Sequence, residues 1–462
     1  MPPVDGDIFF STITEINQRW KRGDFSAVEL VRAFSDRLEK IGPSLNALAL
    51  PLREDARGAA AAVDKERKRE RFRSPLQAVP YAVKDLLSVA GKPTTWGARP
   101  FAGQVFSEDA VVVQKLNKAR AILIGKLAMI ELAGGGNYRY PSASMTGPCL
   151  NPWDRTRWAG GSSSGSGAAV AAGLVPYALG SETSGSILTP AAFCGVTGLR
   201  PTYGLVSRKG AMPLSWTLDK IGPLARSVED CALVLDAISG GGDAGRAFHF
   251  APQFVRPLAE LRAGFIPAHF EELAVPEIRP ALQAALDVCR QMGLQLVSTT
   301  LPDFPYSALT GTIIGAEASS IFEDLIESGQ VDQLDDTAQA AGLRAALDIP
   351  ARDYLRAMRL RSLLQTKFRE WFTGFDILIT PTRFNVAPPI KQPLDTPGPA
   401  HDLIPGGNLA GLPALALPCG FAGALPVSLC LLGRPYTENM LLAAGVEFQR
   451  RTDFHRRRPA IS

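Results

Sequence analysis

Apolar positions along this chain follow two spacings, one typical of amphipathic helices and one typical of buried strands. A capping-box pattern begins at Ser26, and the apolar residues behind it recur at steps of three and four. This pattern predicts a helix that ends at about residue 40. Two short apolar runs, 78–87 and 121–127, predict buried strands, with a helix over 109–120 between them.

The alternation of strands and helices continues to the end of the chain. Further runs predict strands at 263–268, 294–301, 375–382, 414–421 and 426–433, and helices at 276–293 and 439–450. Strands that alternate with helices are typical of α/β proteins. The sequence therefore predicts an α/β fold with a mixed sheet.

Residues 306–372 differ from the rest because their pattern predicts only helices. Leu355, Leu363 and Phe368 fall in helical rows within this segment. Such a helical insertion could cover a binding pocket or could pack on the core, and the sequence leaves both alternatives open. No linker-like composition divides the chain, so we expect a single domain over residues 1–462, with the insertion near its pocket.

The composition, with 46% hydrophobic and 20% charged residues over 462 positions, is that of an ordinary globular protein. The net charge of +4 is small for this length, and it gives no reason to expect a nucleic-acid partner. One basic run, Arg450–Arg458, stands out near the C-terminus. It could contact an anionic surface, but we expect a solvated end that follows the last helix.

Six cysteines are scattered through apolar stretches without metal-binding spacing, so we expect buried thiols and neither a metal nor another cofactor. The N-terminal residues lack the basic and apolar regions of a signal peptide. The most hydrophobic run, around Pro176, is about fourteen residues long, whereas a membrane span needs about twenty. We therefore expect a soluble, cytoplasmic protein without a membrane partner.

The stretch 160–186 places serine and glycine clusters at both ends of an apolar segment. The run GSSSG that begins at Gly161 fits the nucleophile-elbow pattern, which requires a preceding strand and a later histidine. No convincing strand precedes it, and none of the four histidines lies in a stretch typical of a catalytic loop. No lysine follows the glycines as in a phosphate-binding loop, so that motif does not fit either.

A nucleophilic serine without a histidine needs another base. A lysine can serve when burial among apolar groups lowers its pKa and keeps it neutral. Lys84 lies in one of the predicted apolar strands and is the candidate for this role.

The segment between the serine clusters predicts a helix of small residues at 168–173 and a strand at 174–179. Thr189, followed by proline, is typical of the N-cap of a further helix. A loop, a helix, a strand and a second loop in succession can return the chain to the same side. Ser162 and Ser186 can therefore meet.

Several stretches resemble the amidase signature family of serine hydrolases. The run from Gly160 to Gly204, GGSSSGSGAAVAAGLVPYALGSETSGSILTPAAFCGVTGLRPTYG, is similar to the defining segment of that family, and AVPYAVKDLL is similar to its lysine motif. The runs CLNPWD, LDKIGPLARSVEDCALVL and NLAGLPALALPCGF resemble its other landmarks, in the expected order over nearly the whole chain. The resemblance implies a large mixed β-sheet core surrounded by helices.

The resemblance also implies a Ser–cis-Ser–Lys triad. Matched by motif, Ser186 is the nucleophile, Ser162 is the bridging serine held by a cis peptide bond, and Lys84 is the terminal base. Ser163 is a supporting neighbour that hydrogen-bonds within this relay. The implied oxyanion hole consists of the backbone N–H groups of one loop, namely Thr183, Ser184, Gly185 and Ser186.

The chain departs from the pattern G-T-D-T-G-G-S-I-R that this family commonly shows. Leu188 replaces a frequent basic residue, which removes a local positive charge, and Ser184 replaces a glycine at a position that prefers glycine geometry. In addition, three glycines stand where a substrate-binding loop is expected, namely Gly134, Gly135 and Gly136. Glycines there leave room and mobility, or they simply form a turn.

We therefore expect a hydrolase that cleaves the C–N bond of amides through an acyl-enzyme on Ser186. The missing basic residue and the apolar insertion favour neutral apolar or aryl amides, as in an aryl acylamidase, with carbamates (a urethanase activity) or esters as further substrates. One alternative is the glutamine-hydrolysing component of a tRNA-dependent amidotransferase, its A subunit, which works only with partner subunits. Another is a non-catalytic binding protein that retains the fold. The expected ligand is a small amide or carbamate, and the chain could be a monomer or a homodimer.

Overall fold

The computed structural model describes residues 6–243, 245–394 and 403–461. Of the thirteen strands within these residues, eleven form one mixed β-sheet. The strands are β1 (Leu48–Pro51), β2 (Pro80–Lys84), β3 (Ile122–Leu127), β4 (Leu150–Asn151), β5 (Asp154–Trp158), β6 (Tyr177–Glu182), β7 (Thr197–Arg200), β8 (Lys220–Ala225), β9 (Arg262–Phe265), β10 (Gln295–Ser298), β11 (Ile377–Pro381), β12 (Ala414–Ala422) and β13 (Leu425–Gly433). Their order in the sheet is β1-β3-β2-β6-β8-β7-β12-β13-β11-β9-β10, and β4 pairs with β5 outside it.

Both parallel and antiparallel pairs occur in this sheet. The pairs β2–β3, β2–β6, β9–β10 and β9–β11 are parallel, whereas the central strands from β6 through β8, β7, β12 and β13 to β11 are antiparallel neighbours. Helices surround the sheet. The predicted α/β fold with a large mixed sheet is therefore confirmed.

The α-helices that the structure describes are α1 (Ile13–Arg22), α2 (Ala27–Ile41), α3 (Arg53–Arg67), α4 (Val111–Lys118), α5 (Ser164–Ala171), α6 (Leu188–Cys194), α7 (Val228–Ile238), α8 (Pro267–Glu271), α9 (Arg279–Gln291), α10 (Tyr306–Ile321), α11 (Glu323–Glu327), α12 (Thr337–Ala346), α13 (Ala351–Trp371), α14 (Leu403–Leu409) and α15 (Glu438–Arg451). Ser26 caps α2 as predicted, since its hydroxyl accepts the N–H of Glu29 while the Glu29 carboxylate accepts the N–H of Ser26.

The parallel pairing of β2 and β6 determines where the functional groups lie. These two strands end at the same edge of the sheet, β2 with Lys84 and β6 with Glu182. The antiparallel strand β8 begins at that edge, where Lys220 pairs with Glu182. All residues of these three strands are buried, so the polar groups at this edge are held in the protein interior.

The segment between the serine clusters differs in register from the prediction. Helix α5 begins four residues before the predicted start at 168, and β6 occupies 177–182 rather than 174–179. The reason is the turn after α5, where Gly173 adopts a positive φ of 65° and Pro176 follows before the strand begins. The predicted loop at 180–186 is correspondingly shorter.

The predicted helical insertion 306–372 contains α10 to α13, joined by short turns. Helix α10 packs against α12, α13 and α14. Phe368 is buried as its row predicts, but Leu355 and Leu363 are 60% and 58% exposed because the buried face of α13 is formed instead by Ala357, Arg361, Leu364 and Phe368.

The basic C-terminal run is not a free end. The guanidinium of Arg226 donates to the carbonyl oxygens of His455 and Arg457, and Arg458 pairs with Asp7. Cation–π contacts to Phe10 and Phe421 hold the same segment against the body of the protein. The six cysteines are buried, as predicted. Among the described residues, no helix combines the length and the apolar character that a membrane crossing requires.

Replacing Ser26 by alanine should lower the free energy of unfolding by about 1 kcal/mol, because the substitution leaves the N–H of Glu29 without its acceptor. Urea-induced unfolding followed by far-UV circular dichroism measures this loss. The matched control is Ser362→Ala on the exposed face of α13, for which we expect a change within about 0.5 kcal/mol. Equal midpoints for the two variants would contradict the capping assignment.

Candidate active site

Lys84 is the last residue of β2 and has no exposed surface. Its Nζ atom donates hydrogen bonds to Ser162 Oγ at 2.7 Å and to Ser181 Oγ at 3.0 Å. Ser181 belongs to the neighbouring parallel strand β6. The register of the two strands therefore brings the lysine and this serine together at the sheet edge.

The environment of Lys84 favours its neutral form. Burial lowers the pKa of Lys84 to about 7, although the nearby carboxylates of Asp219 and Glu182 act in the opposite direction. No carboxylate forms an ion pair with Lys84 among the described residues. With this pKa the lysine is about half neutral at pH 7, and the neutral amine can accept a proton from the hydroxyl beside it.

Ser162 and Ser163 tie the two serine clusters together. The peptide bond between Gly161 and Ser162 is cis, and both serine side chains are buried. The N–H of Ser163 donates to the carbonyl oxygen of Ser186 at 3.2 Å, while its hydroxyl donates to the carbonyl oxygen of Ser181 at 3.1 Å. The structure thus brings the Ser162 segment beside the Ser186 loop.

The loop that carries Ser186 joins β6 to α6, and the carboxylate of Glu182 accepts hydrogen bonds from the backbone that follows Ser186. One Glu182 oxygen accepts the N–H groups of Ile187 at 2.8 Å and Leu188 at 3.0 Å. This carboxylate takes the place of an N-cap side chain, so α6 begins at Leu188. The prediction that Thr189 is the N-cap of this helix is therefore wrong. Gly185 bends the loop with a φ of 92°.

Glu182 is itself fully buried, and its charge is balanced. Arg200 Nη1 and Asn408 Nδ2 each donate to its other oxygen at 2.9 Å. Burial alone would raise the pKa of Glu182, but Arg200 and Lys220 outweigh that effect and hold the pKa below its ordinary value. Lys220 in turn donates to Asn408 Oδ1 at 2.6 Å. The carboxylate is therefore ionised beneath the loop.

One expectation about the departures from the family pattern is corrected, namely the one for Ser184. Leu188 is buried, and the nearby guanidinium of Arg200 is engaged by Glu182. Ser184 does not need glycine geometry, because within the described part of the loop only Gly185 has a positive φ. The substitution at Ser184 therefore carries no backbone strain.

The glycines at 134–136 are closely packed rather than roomy. A Cβ atom on Gly134 would lie 2.7 Å from the Tyr138 ring, and one on Gly135 would lie 2.9 Å from the Leu214 side chain. At Gly136, where φ is 86°, it would lie 2.2 Å from the carbonyl oxygen of Gln339 in α12. The expected room at this loop is therefore wrong.

Glu131 fixes the same loop to the insertion. Its carboxylate accepts the N–H groups of Asp335 at 3.1 Å and Asp336 at 3.0 Å, and its carbonyl oxygen accepts Gln339 Nε2 at 2.8 Å. Asp336 reaches back to the N–H of Tyr140 at 3.1 Å. The insertion therefore forms one wall of the region beside the glycine loop.

A cavity of about 380 Å³ opens beside the site. Ser181, Thr183 and Asp219 line its inner end, and Ala133, Leu214 and Trp216 are among the residues along its walls. This cavity therefore adjoins the end of β6 and the turn that precedes β8.

Sequence reasoning did not single out Ser181, Glu182, Arg200, Asp219 or Asn408. All five stand in runs quoted for the family resemblance, but nothing in the local pattern of those runs indicates what each side chain contacts. The three histidines that the structure describes take no part in this cluster, and buried His269 contacts Thr380 instead. His401 lies outside the described residues. No cluster of potential metal ligands occurs among the residues that the structure describes.

Comparison with known proteins identifies the family to which this fold belongs. The amidase family model matches residues 29–442. The chain therefore belongs to the amidase signature family of amide hydrolases.

Curated relatives include the A subunit of the Glutamyl-tRNA(Gln) amidotransferase of Chloroflexus aggregans, 38% identical with 99% of each chain covered. The corresponding protein of Moorella thermoacetica is 37% identical, with 98% of this chain and 99% of that protein covered. Among solved structures, the peptide amidase from Stenotrophomonas maltophilia aligns with a TM-score of 0.86 at 31% identity, covering 98% of each chain. A chain of a vestigial protein complex, described as revealing the origins of an s-triazine catabolic enzyme, aligns with a TM-score of 0.87 at 33% identity, covering 96% of this chain and 98% of that one.

Gly136→Ala should lower the free energy of unfolding by about 2 kcal/mol or more, because it adds both left-handed backbone strain and a steric clash with Gln339. Chemical unfolding of the purified variant measures the loss. The matched control is Gly311→Ala in α10, where a Cβ atom meets nothing within 4 Å and alanine favours the helix. A Gly136→Ala variant as stable as this control would contradict the packing described for the loop.

Proposed function

We propose that this chain hydrolyses amides through an acyl-enzyme on Ser186, with Ser162 and Lys84 as the proton relay. The observation that carries the proposal is the 2.7 Å hydrogen bond between Lys84 Nζ and Ser162 Oγ at a site where the lysine has no contact with solvent. A buried lysine without an ion pair is unfavourable for stability, and it is expected where a neutral amine serves the chemistry.

The relay moves one proton in each direction. As Ser186 Oγ attacks the amide carbonyl carbon, its proton passes to Ser162 Oγ, and the proton of Ser162 passes to Lys84 Nζ. When the C–N bond breaks, the proton returns by the same path to the leaving nitrogen, which departs as a neutral amine or ammonia. Water then attacks the ester of Ser186 and releases the carboxylic acid.

The loop 183–186 supplies the proposed oxyanion hole. The next N–H groups along the chain are already engaged, those of Ile187 and Leu188 by Glu182 and that of Thr189 by the carbonyl oxygen of Gly185. Within the described structure, the N–H groups of Thr183 to Ser186 donate to no protein acceptor. They therefore remain available for the negative charge that develops on the substrate oxygen, where one such donor contributes about 3 kcal/mol.

Two substrate classes have separate support. Full-length similarity to the A subunits of amidotransferases supports hydrolysis of the side-chain amide of glutamine, in a complex with partner subunits. The residue at position 188 supports neutral apolar or aryl amides, because Leu188 and Ile404 make the lining beside the loop apolar and Arg200 is engaged by Glu182. The relatives favour the glutamine alternative more directly than the apolar one.

The rate of hydrolysis should fall as the pH drops below about 7. The pKa of Lys84 is lowered from its usual 10.5 to about 7, so the amine is neutral above that pH and protonated below it. We expect kcat/KM to decrease about tenfold for each pH unit below the inflection. Initial rates between pH 5 and pH 9 measure this profile, and a flat profile would contradict the role of Lys84.

Two other groups titrate near the same pH and serve as controls. Burial raises the pKa values of Glu131 and Asp230 to about 7. The variants Glu131→Gln and Asp230→Asn should keep the inflection, whereas Lys84→Arg should be inactive at every pH because an arginine does not lose its proton.

A panel of substrates tests the proposed reaction and separates the two classes. It contains an anilide, an aryl carbamate, a primary aliphatic amide, a p-nitrophenyl ester and glutamine, each assayed with the purified chain, with Ser186→Ala and with the control Ser328→Ala. Turnover of the anilide or carbamate that only Ser186→Ala abolishes would support the independent hydrolase. Turnover of glutamine alone would support the amidotransferase class.

If no compound is turned over, a fluorophosphonate probe decides between the remaining alternatives. Labelling of Ser186, identified by mass spectrometry, would support an active nucleophile that needs partner subunits for its substrate. Absence of labelling would overturn the proposal in favour of a binding protein that retains the fold.

A further inference from the structure

The turn between Leu214 and Asp219 is joined to the loop of Ser186 by one side chain. Asp219 Oδ1 accepts the hydroxyl of Thr183 at 2.6 Å, and its Oδ2 accepts the N–H groups of Leu214 at 2.8 Å and Ser215 at 2.9 Å. Asp219 therefore places Thr183, the first residue of the proposed oxyanion loop, relative to this turn.

The turn is held in its own place by the helical insertion. Glu317 of α10 is buried, and its carboxylate accepts Ser215 Oγ at 2.5 Å, the N–H of Thr217 at 3.2 Å and Thr217 Oγ1 at 2.8 Å. Tyr354 of α13 donates a fourth hydrogen bond to the same carboxylate at 2.8 Å. All of these donors point at one side chain.

A second residue of the insertion, Arg361, also forms a hydrogen bond with the same turn. Arg361 donates from Nη2 to the carbonyl oxygen of Thr217 at 2.8 Å and from Nε to the carbonyl oxygen of Leu409 at 2.8 Å. The turn thus lies between an acceptor, Glu317, and a donor, Arg361, both of which come from the insertion. Neither residue reaches the triad itself.

We propose that Glu317 is a positioning residue for hydrolysis, which through the 214–219 turn and Asp219 holds Thr183 and the oxyanion loop in the geometry that stabilises the developing negative charge. This inference rests on the proposed function of Ser186. It assigns the 306–372 insertion a role beyond covering or core packing, because the insertion fixes a part of the site that the sheet alone does not fix. Donors aimed at the oxyanion contribute only when their positions are fixed before the reaction.

The test uses the rate at which a fluorophosphonate labels Ser186, because that reaction also places negative charge in the oxyanion hole and needs no known substrate. Glu317→Gln keeps the size of the side chain but removes its charge and one of its two acceptor oxygens, so it can no longer accept all four donors of Ser215, Thr217 and Tyr354. We expect the maximal labelling rate to fall about tenfold or more, with the half-saturating probe concentration within about twofold of that of the unaltered chain. Any panel compound that is turned over should show the same decrease in kcat with little change in KM.

Three controls distinguish positioning from a general loss of structure. Glu327→Gln, an exposed residue of α11 in the same insertion, should label at the rate of the unaltered chain. The pH inflection of labelling should stay unchanged in Glu317→Gln, because Lys84 keeps its surroundings. Asp219→Asn should show the same decrease, and the double variant should be no slower than the slower single variant, since both act along one path.

The outcomes separate the two proposals. If the unaltered chain is not labelled at Ser186, the proposed function fails. If it is labelled and folded Glu317→Gln is labelled equally fast, or if its effect adds fully to that of Asp219→Asn, the positioning role is overturned while the function stands. If Glu317→Gln does not fold, Ser215→Ala decides instead, since it removes one donor and leaves the Glu317 charge: a decrease of about threefold in the maximal rate supports the proposal, and an unchanged rate overturns it.

Discussion

The burial of one lysine is the constraint on which the rest of this site depends. Lys84 stands at the end of β2, out of contact with water, and its partners are the hydroxyl groups of Ser162 and Ser181 rather than a carboxylate. An ammonium ion in such surroundings is unfavourable, so the pKa of Lys84 falls to about 7 and the neutral amine becomes accessible at that pH. Water is excluded from that position by the parallel pairing of β2 with β6 and by the packing of α5 against both strands.

Directly beside Lys84, the same edge holds a second network of buried polar groups. Arg200 and Asn408 donate to Glu182, Lys220 donates to Asn408, and Glu182 also accepts two backbone N–H groups at the start of α6. A buried ion pair of this kind contributes little to net stability, but removing one partner is strongly destabilising. Its structural consequence is that the Ser186 loop rests on a carboxylate whose position is fixed from several directions.

Periodicity predicted the fold class, most strand positions and the helix that begins behind Ser26, because these depend on local patterns of burial and capping. The motif resemblance predicted which serines and which lysine converge. The strands β1, β4, β5, β7 and β8 were not predicted, since their residues show no clear alternation. The partners Arg200, Asp219 and Glu317 were also not predicted, because each acts on a residue far away in the sequence, and nothing in the local pattern of a buried charge indicates what it contacts. The error at Gly134–Gly136 has the same origin: glycine spacing does not show whether space is empty or filled by another backbone.

The contact between the glycine loop and α12 limits how this protein can vary. A Cβ atom on Gly342 would lie 2.0 Å from the carbonyl oxygen of Gly136, so the two backbones touch and neither position accepts a side chain. A side chain at either glycine would therefore require the loop and the helix to move apart together. We therefore expect related sequences to vary in substrate selectivity through side chains that can change in size without moving a backbone. Leu188, Leu214 and Trp216, which lie around the loop and the cavity, are such side chains.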